Sequence, residues 1–112
     1  QDPGPLYAAA DLVVCPSRIE PLGNVVLEAW ARHKPIVAAA ADGPVELIRD
    51  GENGLLVALE DAEAMAAAIN YILANKQGAG ALAAAGYAAY QADYSEAVVV
   101  QHYLDFFAKV AA

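Results

Sequence analysis

Apolar residues in the first half of the chain come in short β-branched runs that alternate with helical stretches. Leu12-Val13-Val14-Cys15 is a continuous apolar run stopped by Pro16, the pattern of a strand buried on both faces. Asn24 to His33 sets Val25, Leu27 and Trp30 among helix formers and predicts a helix of about three turns, ended by Pro35. Ile36-Val37-Ala38-Ala39 predicts a second buried strand. Pro44 suits a first helical position and opens a short helix over Val45 to Ile48. Asp50-Gly51-Glu52-Asn53-Gly54 then reads as a turn, and Leu55-Leu56-Val57 as a third strand.

From Asp61 onward the period is helical. Met65, Ile69, Ile72 and Leu73 lie on one stripe of an alanine-rich helix. Asn75 to Gly78 reads as a connection, Ala79 to Ala92 as a weaker helix and Ser95 to Lys109 as the last one, with Ser95 its N-cap. On that last helix Val98, Val99, His102, Phe106 and Phe107 mark a face for the core or for docking other parts. Strand–helix–strand–helix–strand followed by helices predicts an α/β fold with a parallel sheet and crossover connections. Three strands make only a partial doubly wound, Rossmann-like sheet, and Leu12 to Cys15 would be an exposed apolar edge. The chain is therefore expected to be one partial domain, residues 1–60 the βαβαβ part and 61–112 the C-terminal helices, with further strands upstream of Gln1. The open edge predicts pairing between copies of the chain.

Composition narrows the classes of partner. Six basic against fourteen acidic side chains give a formal net charge of −8. That balance argues against nucleic acid and anionic membrane, which need clustered Lys and Arg. Of the 112 residues 28 are alanine, so the 59% hydrophobic content overstates the large side chains available to a core. No apolar run approaches the roughly 18 to 20 residues that cross a bilayer, and no basic n-region marks a signal peptide. The single cysteine, Cys15, excludes an internal disulfide and any cysteine-cluster metal site. A cytoplasmic protein is the expectation.

The chemistry concentrates in Pro16-Ser17-Arg18-Ile19-Glu20-Pro21-Leu22-Gly23-Asn24-Val25-Val26-Leu27-Glu28. A strand end runs through a loop into a helix, and in doubly wound folds ligands bind beyond the carboxyl ends of the strands. The helix start aims unpaired N–H groups and a positive dipole end at that crevice, which suits a phosphate. Gly23 permits close backbone approach. Glu20 and Glu28 flank this anion site, eight positions apart. Carboxylates beside a phosphate make sense if each accepts hydrogen bonds from a vicinal diol, one on a sugar and one on a ribose. A diphosphate between two diols is a nucleotide-sugar.

The same stretch resembles the Glu-x7-Glu motif of retaining glycosyltransferases with the GT-B fold, close to family 4. The likeness extends to Ala8-Ala9-Ala10-Asp11-Leu12-Val13-Val14 before the motif and to Lys34-Pro35-Ile36-Val37-Ala38 after it. It continues through Asp42-Gly43-Pro44-Val45-Glu46-Leu47-Ile48, similar to the family's glycine-rich loop and helix. Asp50-Gly51-Glu52-Asn53-Gly54-Leu55-Leu56-Val57 is similar to its Asp-Gly-x-x-Gly turn and strand. The resemblance implies the C-terminal half of a donor-binding domain that moves a hexose-type sugar, with retention, from a nucleoside diphosphate to a glycan, lipid or small-molecule acceptor. It places Glu20 at the transferred sugar as the catalytic group, which positions and stabilises charge. Gly23, Asn24 and Val25 would offer backbone donors, Leu22, Ser17 and Arg18 would line the donor, and Glu28 would hold the ribose diol. No metal or other cofactor is implied. The acceptor belongs to an N-terminal domain outside this chain, and contact with the inner face of a membrane would come from such parts. The segment alone is expected to be inactive.

The chain departs from the family where it has Leu22 for a bulkier residue, His33 for a glycine, and Asp42 for the first of a glycine pair. It also has Glu96 after Tyr94-Ser95 where a tryptophan is usual. These departures bear on sugar identity more than on class. Other readings are a nucleotide-sugar epimerase or hydrolase of the same architecture, and a non-catalytic α/β module in which Glu20 and Glu28 are solvated acids near a helix start. Ser17 reads as a loop hydroxyl rather than a nucleophile. His33 and His102 stand too far apart to suggest a metal, and Asp50 to Gly54 lacks the acidic spacing of a calcium loop.

Overall fold

Three short parallel strands carry the molecule, in a computed structural model that describes residues 11–16 and 24–111. Strand β1 (Val13–Cys15) pairs with β2 (Ile36–Ala39), and β2 with β3 (Leu55–Val57), in the order β1-β2-β3. Register aligns Val14 with Val37 and Ala38 with Leu56. Helix α1 (Asn24–Ala31) connects β1 to β2, and α2 (Asp42–Leu47) connects β2 to β3. Helices α3 (Ala62–Ala74), α4 (Lys76–Asp93) and α5 (Glu96–Ala111) follow.

The central strand explains its own composition. Every residue of β2 is buried, because helices cover both faces of the sheet. Ile36 and Ala38 point into a cluster with Cys15, Val26, Ala29, Trp30 and Ile48, whereas Val37 points the other way to Ile72, Ala79 and Leu82. Helix α4 serves both clusters: its first half gives Ala79 and Leu82 to the second, and Ala89 and Tyr90 border the first. Short β-branched runs thus become strands because two apolar layers meet on them.

Helix α1 is shorter than its pattern suggested, eight residues. The Lys34 N–H donates to the Ala29 carbonyl at 2.9 Å and the His33 N–H to Trp30 at 3.1 Å. That is the paired hydrogen bonding of a helix ended by a left-handed residue, and His33 is that residue, with φ of 58°. Its ring stacks on Tyr87 of α4 with centroids 3.6 Å apart.

Other boundaries also moved. Helix α2 begins at Asp42, so Pro44 stands third in it; the missing N–H costs nothing there because the first-turn donors have no intrahelical acceptor. The expected connection Asn75 to Gly78 contracts to Asn75, whose side chain accepts the Gly78 N–H at 2.8 Å and caps α4. Asp61 caps α3 in the same way through the Ala64 N–H at 2.9 Å, and Ser95 caps α5 through Val98 at 3.3 Å. Leu73 turns out of the α3 stripe to the surface, because the sheet claims only Met65, Ala68 and Ile72. The face expected to be buried on α5 is exposed at Val99, His102, Phe106 and Phe107, since α5 meets little of the molecule beyond the end of α4. Among the described residues no helix is long and apolar enough to cross a membrane.

Candidate functional site

Because all three strands run parallel, their carboxyl ends share one edge, marked by Pro16 after β1, Ala40 after β2 and Ala58 after β3. Helix α1 starts close to that edge, at Asn24, and its first N–H groups have no intrahelical acceptor. Asn24 is exposed, Val25 half-buried and Val26 fully buried, so the helix tip is open on one side and anchored on the other. Glu28 stands one turn in, half-buried, in a groove of about 250 Å³ bordered by Asn24, Leu27, Ala31, Arg32 and Tyr90.

The structure therefore places Asn24, Val25 and Glu28 on the helix that leaves the ligand edge. Ser17, Arg18, Glu20, Leu22 and Gly23 lie outside the described residues. Among the described residues no cluster of His, Cys, Asp or Glu has the arrangement of a metal site. On the opposite face of the same edge, Pro16, Ala39, Ala58, Met65 and Ile69 line a second groove, of about 390 Å³ and mostly apolar. A third, near Asp11, His33 and Lys76, sits where the chain enters β1 and β2, at the far edge of the sheet.

Sequence reasoning missed what fixes α1. Trp30 is 1% exposed, and its indole N–H donates to the carbonyl oxygen of Asn53 at 3.0 Å. Its ring lies on Gly86 of α4, where a Cβ would be 2.5 Å from Nε1. Asn53 belongs to the Asp50–Gly54 turn, which is closely tied: its own Oδ1 accepts the Arg49 N–H at 2.8 Å, and Asp50 Oδ1 accepts the Leu56 N–H at 2.9 Å. Gly51 takes φ of 84° there, and Gly54 packs against Ile36 too closely for a side chain. A lone tryptophan two residues after Glu28 was the available signal.

Comparison with known proteins covers the chain in the same order. A family model described as "Glycosyl transferases group 1" matches residues 1–75. The lipopolysaccharide core biosynthesis glycosyltransferase LpsE of Rhizobium meliloti is 41% identical over 107 residues, 96% of this chain and 32% of that protein. Among solved structures, HepE of Anabaena in complex with UDP-glucose superposes with a TM-score of 0.84 at 33% identity, over 93% of this chain and 29% of that one. A sucrose-phosphate synthase from Thermosynechococcus elongatus gives 0.84 at 37% identity, over 95% and 27%. The chain spans about a third or less of the length of these relatives.

Proposed function

The chain belongs to the glycosyl transferases group 1 family, and on that premise we propose that it is the donor-binding part of an enzyme that transfers a sugar from a nucleoside-diphosphate sugar to an acceptor with retention. Glu28 carries this reading. It stands one turn into the helix that leaves the ligand edge of a parallel sheet, where a carboxylate can accept from a ribose diol while the helix tip faces the diphosphate. The solved complex of the similar HepE with UDP-glucose supports a donor of that chemistry.

Roles for the remaining groups follow from the motif shared with the family. Asn24 and Val25 contribute helix-tip amides, and Gly23, Leu22, Ser17 and Arg18, earlier in the sequence, line the donor. Glu20 positions the transferred sugar and stabilises its developing charge, so it is the catalytic group. The reaction uses no metal or other cofactor. The acceptor is a glycan, a lipid or a small molecule and is held by an N-terminal domain outside this segment, so the segment alone does not turn over. Its donor is a charged cytoplasmic metabolite, which sets the reaction in the cytoplasm, at the inner face of the membrane where the acceptor is a lipid. The outer edge of β1 pairs copies of the chain; a strictly monomeric species by light scattering at high concentration would count against that.

Titration of UDP-glucose, GDP-mannose and ADP-glucose into the full-length protein, with Glu28→Ala beside it, tests the donor. One donor should bind, and the substitution should cost about 1–3 kcal/mol of affinity, the worth of a hydrogen bond to a charged group. Equal affinity of the variant refutes the role of Glu28, and sugar transfer by the 112-residue segment alone refutes the division of labour.

A further inference from the structure

We infer that the Asp50–Gly54 turn is a fixed abutment for α1, and that Trp30, held by the Asn53 carbonyl and seated on Gly86, is the positioning residue that sets the rotation of that helix and so aims Glu28. This rests on the donor-site reading given above. Helix α1 has only eight residues, so its own length does little to define its orientation. Glu28 and Trp30 are two residues apart, which places them on nearly opposite sides of the helix. Whatever fixes the indole therefore fixes the carboxylate across the axis.

The lever arm gives the sensitivity. A carboxylate lies about 6 Å from a helix axis, so a 20° roll of α1 displaces it by roughly 2 Å. Hydrogen bonds to a diol do not survive a shift of that size. The indole resists the roll from two sides. Its N–H is held at 3.0 Å by a carbonyl that the turn presents rigidly, and its face has no space to move toward α4. The turn, in turn, is stiffened by Asn53 Oδ1 on the Arg49 N–H and Asp50 Oδ1 on the Leu56 N–H, neither of which touches the ligand edge. A motif with no place in donor chemistry thus acquires one, at the far end of the helix from the diphosphate.

The ratio of affinities for a nucleoside diphosphate and its 2′-deoxy counterpart reads the grip of Glu28 on the ribose. UDP, GDP and ADP, each with its 2′-deoxy form, are titrated into the full-length protein and into Trp30→Phe and Asn53→Ala. The unmodified protein should prefer the ribose form of its nucleotide by about tenfold or more, as for a hydrogen bond to a carboxylate. Both substitutions should bring the ratio toward one, as Glu28→Ala should, while Ile72→Val, a buried change on the other face of the sheet, should leave it unchanged. A ratio preserved in Trp30→Phe and Asn53→Ala overturns the abutment and spares the donor site. A ratio of one in the unmodified protein overturns the donor-site reading, and the abutment with it. Should the variants fail to fold, the indole N–H proton of Trp30, assigned in the spectrum of the full-length protein, decides. Slow exchange with solvent that speeds up at least tenfold in Asp50→Ala supports the abutment; exchange unchanged by that substitution overturns it.

Discussion

Two glycines on α4 should answer the same substitution with opposite signs. Gly80 is exposed, and an added Cβ meets nothing within 4 Å. Alanine in a helix interior is worth up to about 1 kcal/mol over glycine, so Gly80→Ala should stabilise by roughly 0.5–1 kcal/mol. Gly86 gains the same propensity term, but its Cβ would sit on Cδ1 and Nε1 of Trp30, 2.5 Å from the latter. Ordinary carbon contacts lie near 3.5–4.0 Å, so the indole must retreat by about 1 Å. It is 1% exposed and hydrogen-bonded, and it has no solvent to retreat into. Overpacking of that kind costs about 1–3 kcal/mol, and a stretched indole bond forfeits about 1 more. After the propensity gain, Gly86→Ala should destabilise by roughly 1–3 kcal/mol, a gap of about 2–4 kcal/mol between two variants of one helix. Equilibrium urea unfolding, followed by Trp30 fluorescence and by circular dichroism with the slope held common, measures both. A Gly86→Ala protein as stable as Gly80→Ala would show that the indole has room, and the packing assigned to Trp30 would be wrong.

Three further outcomes rest on single contacts. His33→Gly should change stability by less than about 0.5 kcal/mol in thermal melts, because relief of the left-handed backbone and loss of the Tyr87 stack nearly cancel. His33→Val, β-branched at φ of 58° and without the stack, should cost about 2–3 kcal/mol. Asn75→Ala removes the α4 cap on the Gly78 N–H and should cost about 1 kcal/mol in urea unfolding. Cys15, 3% exposed at the end of β1, should resist alkylation by iodoacetamide until the protein unfolds; labelling at the rate of a free thiol would contradict its burial.

The strands were legible because each is a run of apolar β-branched or small residues bounded by Pro or Gly, and two covering layers demand that pattern. Ile36 to Ala39 matches to the residue. Helix ends were less legible. Pro44 signals a helix without saying which of its first turns it occupies, and Gly78 looks like a break although a capped first turn tolerates it. The exposed aromatic stripe of α5 was misplaced for a different reason: amphipathic period reports that a face seeks cover, not where the cover comes from. In the candidate site, Glu28 was singled out by spacing, and the structure sets it half-buried one turn into α1. Trp30, Asn53 and Gly86 were not found, because a contact across 23 residues of chain between a side chain and a backbone carbonyl leaves no local pattern.

Charge placement bears on the proposed donor site as well. Lys34 precedes β2 and Arg49 precedes β3, so these cations stand at the amino edge of the sheet, whereas Arg32 borders the groove of Glu28. Lys76 borders the groove at that same edge, and Lys109 is on α5. At the carboxyl edge the chain sets Asp42 soon after β2, and Glu60 and Asp61 after β3, with Glu28 on α1. A diphosphate bound there would face an edge richer in acids than in bases, whose repulsion physiological salt screens. Among the described residues the attraction this segment is proposed to offer comes from the α1 tip, with Arg32 beside Glu28, against a chain of net −8. Binding of UDP to the 112-residue segment should therefore hold or strengthen as NaCl rises from about 20 to 300 mM, the reverse of a site built on cations. The opposite slope, affinity falling severalfold across that range by isothermal titration, would mean that a cation of this chain reaches the diphosphate and that amides are not its main support.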